Sequence, residues 1–245
     1  MDTQYDAIAA DYQKAKRLPI FEVFEHTLLT HLGDVRGRSV LDLACGEGFH
    51  TRRLKQLGAG RTVGVDVSEQ MLLLARQQEA REPLGIEYIH SPVQRLGRLG
   101  TFDFVTAVFL LNYAGSTEDL LQMCRVVHDH LAPGQTFFAI NDNCGVAARD
   151  PEGYRQYGFA YTGSPQPADG EPLRVELQTA PQQWTGFEIR CFLRETYEWA
   201  LRTAGFQHVR WHRLQVPPAL EQQFPPGFWT PFLEKEPEVL IEARK

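Results

Sequence analysis

Val40-Leu41-Asp42-Leu43-Ala44-Cys45-Gly46-Glu47-Gly48 is the stretch that decides the fold. An apolar run carrying one acidic residue leads into two glycines spaced one apart, and a helix-like segment follows at once. Glycine has no Cβ and tolerates unusual φ, so such a turn lets backbone amides approach a ligand closely. A second apolar run, Thr62-Val63-Gly64-Val65, ends in Asp66, 20 residues after Gly46. An acidic residue at that distance is where a ribose is gripped, because its two oxygens accept from vicinal hydroxyls. Together the two features point to a cofactor that contains adenosine. The plain alternatives are a strand-to-helix turn with a buried Asp42 satisfied by amides, and an Asp66 that serves only as a helix N-terminal charge.

The segment Leu41 to Gly48 resembles the glycine motif of the class I S-adenosylmethionine-dependent methyltransferases, with Ala44 in place of the commoner first glycine. A dehydrogenase motif would want a third glycine where Thr51 stands. The resemblance continues through Gly64-Val65-Asp66-Val67-Ser68-Glu69-Gln70-Met71, Phe102-Asp103-Phe104-Val105 and Leu131-Ala132-Pro133-Gly134, covering at least residues 36–145. It implies a Rossmann-like, doubly wound α/β sheet of seven strands in the order 3-2-1-4-5-7-6, the last strand antiparallel, behind a helical N-terminal lid. It also implies S-adenosyl-L-methionine as cofactor. On that reading Asp42 holds the methionine ammonium, directly or through water, while Ala44, Gly46 and Gly48 let the cofactor lie against the backbone. Asp66 and Val67 meet the ribose and Met71 the adenine face, where plain core packing is the alternative. Val93 and Gln94 stand where the family commonly has an Asp for the adenine edge, which this chain lacks. Ala107 and Val108, at the end of strand four, flank the crevice.

Length and composition agree with one elaborated α/β domain. The chain has 245 residues, 43% hydrophobic and 23% charged, which is ordinary for a globular protein. A net charge of −6 weighs against a nucleic-acid substrate, which asks for a basic face, and favours a small-molecule acceptor. No apolar run approaches the roughly 18 residues that span a bilayer, and the acidic, polar start Met1-Asp2-Thr3-Gln4-Tyr5-Asp6 does not read as a secretory signal. A cytoplasmic protein with no membrane partner is the expectation. Cys45, Cys124, Cys144 and Cys191 are too scattered for a zinc site or a disulfide framework. The histidines likewise offer no ligand set, and no metal is expected.

Strand and helix signals alternate from residue 39 onward. Strands are expected at 39–43, 61–66, 86–90, 103–109 and 135–141, with helices at 48–57, 68–80 and 117–131; Ser68 serves as an N-cap. That rhythm predicts a parallel sheet covered by helices on both faces. After Asn141 it breaks. A loop-rich stretch over 142–172 is followed by strand-like runs at Leu173–Thr179 and Phe187–Leu193, a helix at Arg194–Ala204 stopped by Gly205, and strands at Gln207–Val216 and Glu238–Ala243. The expected division is one domain, with 1–34 as lid, 35–141 as cofactor core, 142–190 as a substrate-side insertion and 191–245 completing the sheet.

The acceptor side is read from three places. Tyr5-Asp6-x-x-Ala9-x-x-Tyr12 resembles the lid helix of many small-molecule methyltransferases, where aromatic edges and a hydroxyl exclude water above the sulfonium. Two tyrosines on the inner stripe of a packing helix is the alternative. Asn112 and Tyr113 follow strand four and, with Tyr5, are the catalytic candidates. Asn112, Tyr113, Asp142, Tyr161 and Trp184 are the substrate-binding candidates, although the aromatics of 142–190 could also form a satellite core. Asp142, His50 and Tyr5 are the groups to test as a general base. The short lid, Leu110-Leu111-Asn112-Tyr113-Ala114 and Gly227-Phe228-Trp229 are similar to bacterial toxoflavin-forming N-methyltransferases, which implies a ring nitrogen of an azapteridine as acceptor. An O- or C-methyltransferase and a non-catalytic cofactor-binding module are the competing readings.

Overall fold

The computed structural model describes residues 4–245, apart from the side chains of residues 5, 7 and 10. Two helices come first, α1 (Gln4–Ala15) and α2 (Pro19–Leu32). Pro19 opens α2, where its missing N–H costs nothing and its fixed φ suits the first turn. The apolar spacing of α2 buries Ile20, Phe21, Phe24 and Leu28.

The alternating segment follows as β1 (Val40–Leu43), α3 (Phe49–Gln56), β2 (Thr62–Asp66), α4 (Glu69–Arg81), β3 (Glu87–His90), β4 (Phe102–Val108), α5 (Thr117–His130) and β5 (Leu131–Asp142). Ser68 caps α4 by accepting from the Met71 amide at 3.2 Å. Every residue of β1 and β2 is buried, as continuous apolar strands inside a parallel sheet must be. The chain continues through α6 (Cys144–Ala147), β6 (Phe159–Gly163), β7 (Pro172–Ala180), β8 (Gln183–Arg190), α7 (Arg194–Ala204), β9 (His208–Arg213), α8 (Pro218–Glu221), α9 (Thr230–Lys235) and β10 (Glu238–Arg244).

Seven strands form the main sheet in the order β3-β2-β1-β4-β5-β10-β9, with β10 antiparallel to both of its neighbours. This is the expected 3-2-1-4-5-7-6 order. Alternate residues feed two cores, so Val40, Phe104, Phe138 and Leu240 pack with α2, while Leu41, Val105, Phe137 and Ile241 join the other cluster.

Several elements depart from the sequence expectation, among them the short helices α6, α8 and α9. Phe159–Gly163 is a strand inside the stretch read as loop, and with β7 and β8 it makes a separate antiparallel three-stranded sheet. The run expected at Phe187–Leu193 starts earlier, because β8 pairs along β7 from Gln183 to Arg190. α1 packs against β7 and β8, so the second sheet and the N-terminal helix form one wall above the main sheet. Among the described residues no helix is long and apolar enough to cross a membrane.

Candidate functional site

The turns after β1, β2 and β4, with α1 above them and β8 at the side, enclose a cavity of about 480 Å³. That lies within the roughly 300–1,000 Å³ of small-molecule sites. It also sits where an open α/β sheet binds ligands, outside the carboxyl ends of the strands on either side of the order reversal.

The turn after β1 is shaped for close approach. Gly46 has φ 56°, and a β-carbon there would meet nothing within 4 Å, so its backbone faces open cavity. Ala44 lines the cavity at φ 55°, a left-handed conformation that costs an alanine strain. Gly48 is not in the wall. It is the N-cap of α3 at φ 84°, and a β-carbon there would collide with the Tyr88 hydroxyl.

Asp66 lines the cavity from the end of β2. Its Oδ2 accepts from the Gly46 amide at 2.8 Å and its Oδ1 from the Ser68 amide at 2.8 Å. One carboxylate thus holds two turns together, with lone pairs left for a donor in the cavity. Burial pushes its carboxyl above the usual range, opposed by those amides and by Lys16.

Asp42 and Ala107 are placed differently from the sequence expectation. Asp42 is buried behind the wall, where its Oδ2 accepts from the Thr51 hydroxyl at 2.6 Å and its Oδ1 from the Thr106 hydroxyl at 2.9 Å. It ties β1 to α3 and β4, and it is satisfied by hydroxyls rather than amides. Burial lifts its carboxyl to about 6 despite those two bonds. Ala107 packs into the core beneath the sheet, whereas Val108, pointing the other way along β4, reaches the cavity.

Val67, Met71, Val93 and Gln94 line the cavity beyond Asp66. The Gln94 amide is buried, and neither its nitrogen nor its oxygen has a hydrogen-bond partner among the described residues. Leaving such groups unmade costs roughly 1–3 kcal/mol each. A flat heterocycle with an acceptor and a donor on one edge would satisfy both. The donor set, the exposed glycine turn and this orphaned amide fit an adenosine cofactor bearing an amino-acid tail.

Tyr12 from α1, and Asn112 and Tyr113 after β4, line the same cavity. Asn112 also donates to Asp142 Oδ2 at 3.0 Å. Tyr5 falls within α1, but its side chain lies outside the described residues. Asp142 lines a smaller adjoining cavity of about 30 Å³. Tyr161 is buried behind Asp142, donates to its Oδ1 at 2.7 Å and reaches neither cavity. Trp184 is not brought to either cavity. Strand alternation turns Phe187 and Ile189 inward, while Trp184 lies over the Arg155 guanidinium at 4.6 Å.

Of the base candidates, His50 lines the cavity, but burial and the nearby Lys16 charge push its imidazole down to about 3. It is neutral and a weak proton acceptor at neutral pH. Asp142 goes the other way, lifted by burial to about 6.

Several wall residues carry no sequence signal. Lys16, just past α1, pairs with Glu47 Oε1 in the glycine turn at 3.0 Å, with both side chains nearly buried. Phe109, next after β4, has φ 59° and sets its ring at 5.1 Å from Phe24, in the wall of both cavities. Glu238, at the start of β10, shares the smaller cavity with Asp142. Outside these walls, folding brings His31, His212 and Glu242 from α2, β9 and β10 to within 4.8 Å of one another. No spacing in the chain announces that cluster.

The comparisons with known proteins agree with this geometry. Residues 40–134 match a family model described as a methyltransferase domain. The chain is 31% identical over 219 residues to a demethylmenaquinone methyltransferase of Lactococcus lactis, covering 85% of this chain and 82% of that one. It is 28% identical over 206 residues to an N-demethylindolmycin N-methyltransferase of Streptomyces griseus, covering 80% and 81%. Two further curated relatives match over 51% and 32% of their own length. Among solved structures, an S-adenosylmethionine-dependent methyltransferase of Mesorhizobium loti superposes with a TM-score of 0.61 at 22% identity, over 88% of this chain and 94% of that one.

Proposed function

The chain belongs to the S-adenosylmethionine-dependent methyltransferases, and from that premise we propose that it methylates a ring nitrogen of a small, flat heteroaromatic acceptor such as an azapteridine. One observation carries the reading. The cavity runs without a break from the Asp66 and Gln94 end to an end walled by Tyr12, Phe21, Phe109 and Tyr113. Aromatic walls favour a planar ligand held by stacking and a few polar contacts. The Streptomyces griseus relative, named for N-methylation of N-demethylindolmycin, supports nitrogen as the target. The net charge of −6 supports a small molecule over a nucleic acid.

In this reading Asp66 accepts from the ribose hydroxyls, Met71 and Val93 flank the adenine, and Gln94 meets its edge. The Lys16–Glu47 pair faces the charged amino-acid end of the cofactor, Lys16 toward its carboxylate. When bound, the cofactor supplies an electrophilic methyl on a sulfonium sulfur. The protein then contributes position: the lid (residues 1–34) and the insertion (142–190) hold the acceptor in line and exclude water. Alignment of this kind supplies roughly 7–11 kcal/mol of barrier reduction. Tyr12 would offer an aromatic face to a sulfonium held in the cavity, and Asn112 and Tyr113 orient the acceptor. An acceptor with an acidic ring N–H loses its proton without a strong base, which suits a wall whose one histidine is held neutral. Methylation of carbon or oxygen is the second reading, favoured by the relative named for demethylmenaquinone.

Calorimetric titration with S-adenosylhomocysteine, beside NAD as a control, tests the cofactor assignment. Incubation with S-adenosylmethionine and a panel of azapteridines, indoles and quinols, followed by mass spectrometry of the products, tests the acceptor. Methylation of the quinols alone would overturn the nitrogen assignment.

A further inference from the structure

Asp142 and Glu238 stand directly opposite each other across β5 and β10, and both are buried. Two carboxyl groups in that relation repel when both are ionised, and no Lys or Arg forms an ion pair with either among the described residues. Asp142 is held by the Tyr161 hydroxyl at 2.7 Å and by the Asn112 amide at 3.0 Å. Glu238 differs. Its Oε2 is buried with no hydrogen-bond partner among the described residues.

The pair lines the 30 Å³ side cavity, whose other walls include Tyr12, Phe21, Phe24, Phe109, Phe159 and Phe187. Tyr12, Phe21 and Phe109 are also walls of the main cavity, so the two spaces adjoin. About 30 Å³ holds one or two waters or a ligand head group, and no ring. Aromatic faces beside two buried carboxyl groups that have no ion-pair partner among the described residues make a slot for positive charge.

We propose that Asp142 and Glu238 form a subsite for a cationic nitrogen group, an amine or amidine, at the buried end of the acceptor. The ring of such a molecule lies in the main cavity, and its charged end satisfies Glu238 Oε2 while allowing both carboxyls to ionise. This placement rests on reading the main cavity as the acceptor site. Burial and repulsion from Asp142, opposed by a hydrogen bond with Tyr161, lift the Glu238 carboxyl well above the usual range, and a cation in the slot would favour its ionised form. Glu238 thereby selects the acceptor without touching the cofactor end of the cavity.

The test uses the full chain saturated with S-adenosylhomocysteine, titrated calorimetrically with benzamidine and, separately, with its neutral isostere benzamide. Benzamidine should bind at least about tenfold more tightly, as expected for charge-assisted hydrogen bonds. Glu238→Gln should erase that preference and leave affinity for S-adenosylhomocysteine unchanged. Asp142→Asn provides the same test should Glu238→Gln fail to fold. Equal affinity for the two probes, no binding of benzamidine, or a preference that survives both substitutions overturns the subsite. Failure to bind S-adenosylhomocysteine strikes instead at the reading of the main cavity, since the benzamidine preference is measurable without it.

Discussion

Ala44 and Phe109 share one backbone conformation, φ 55° and 59°, and both line the cavity, yet substitution by glycine should act on them in opposite directions. A left-handed L-residue costs roughly 1–2 kcal/mol. Glycine removes that cost but returns about 0.4–1 kcal/mol of freedom to the unfolded chain. At Ala44 only a methyl group is lost, so Ala44→Gly should stabilise by about 0.5–1 kcal/mol and raise the melting temperature by about 2–3 °C. At Phe109 the half-buried ring packed on Phe24 is lost as well, and that truncation costs part of the roughly 3–5 kcal/mol of a fully buried Phe. Phe109→Gly should therefore destabilise by about 1 kcal/mol, even after the strain is released. Thermal melts of the two variants side by side check the contrast; a drop at Ala44 would mean that its methyl packing outweighs the backbone.

At the scale of elements, α1 is fastened at three points. Gln4 exchanges hydrogen bonds with the backbone of Glu188 in β8, at 2.7 and 2.9 Å. Asp6 accepts from the Ser68 hydroxyl at the start of α4, and Lys16 reaches Glu47 in the glycine turn. Lys16→Met keeps the stem of the side chain and removes its charge, leaving Glu47 buried without its cation. Affinity for S-adenosylhomocysteine should fall about tenfold or more, since truncating one partner of a desolvated pair costs about 2–5 kcal/mol. Residues 4–15 should also become more open to limited proteolysis. Unchanged affinity would remove Lys16 from the cofactor site. None of these fastenings is legible in the sequence, where Lys16 is one lysine among scattered charges. The elements of the core were legible, because Ser68, Gly205 and the apolar runs act locally. β6 was not, since Phe159–Gly163 sits among Gly, Pro and Asp residues and becomes a strand only by pairing with β7. The spacing from the glycine turn pointed to Asp66 and the family resemblance to Val93 and Gln94, and all three line the cavity, whereas Glu238 reaches its place only through the antiparallel insertion of β10, 96 residues along the chain from its partner Asp142.

Over the whole molecule, acidic groups are concentrated and buried at the carboxyl edge of the sheet and beside it. Asp42, Asp66, Asp142 and Glu238 are all shifted upward, with burial as the leading cause in each. The cation that opposes this at Asp42 and Asp66 is Lys16. A carboxyl raised in the fold binds its proton more tightly there than in the unfolded chain. It therefore contributes stability below its unfolded value of 3.8 and loses that contribution as pH rises through the folded value of about 6. For Asp42 the shift of about two units corresponds to a cost on the order of 3 kcal/mol once the group is ionised. Asp42→Asn keeps the shape and removes the ionisation, and one of the two threonine hydroxyls can turn from donating to accepting. The variant should melt higher than the parent at pH 8, by the equivalent of about 1–3 kcal/mol, and the gap should close as pH falls to about 4. Denaturation across that range is the measurement. A gap that does not depend on pH would show that Asp42 stays ionised in the fold, held by Lys16 and its two hydroxyl donors against the cost of burial.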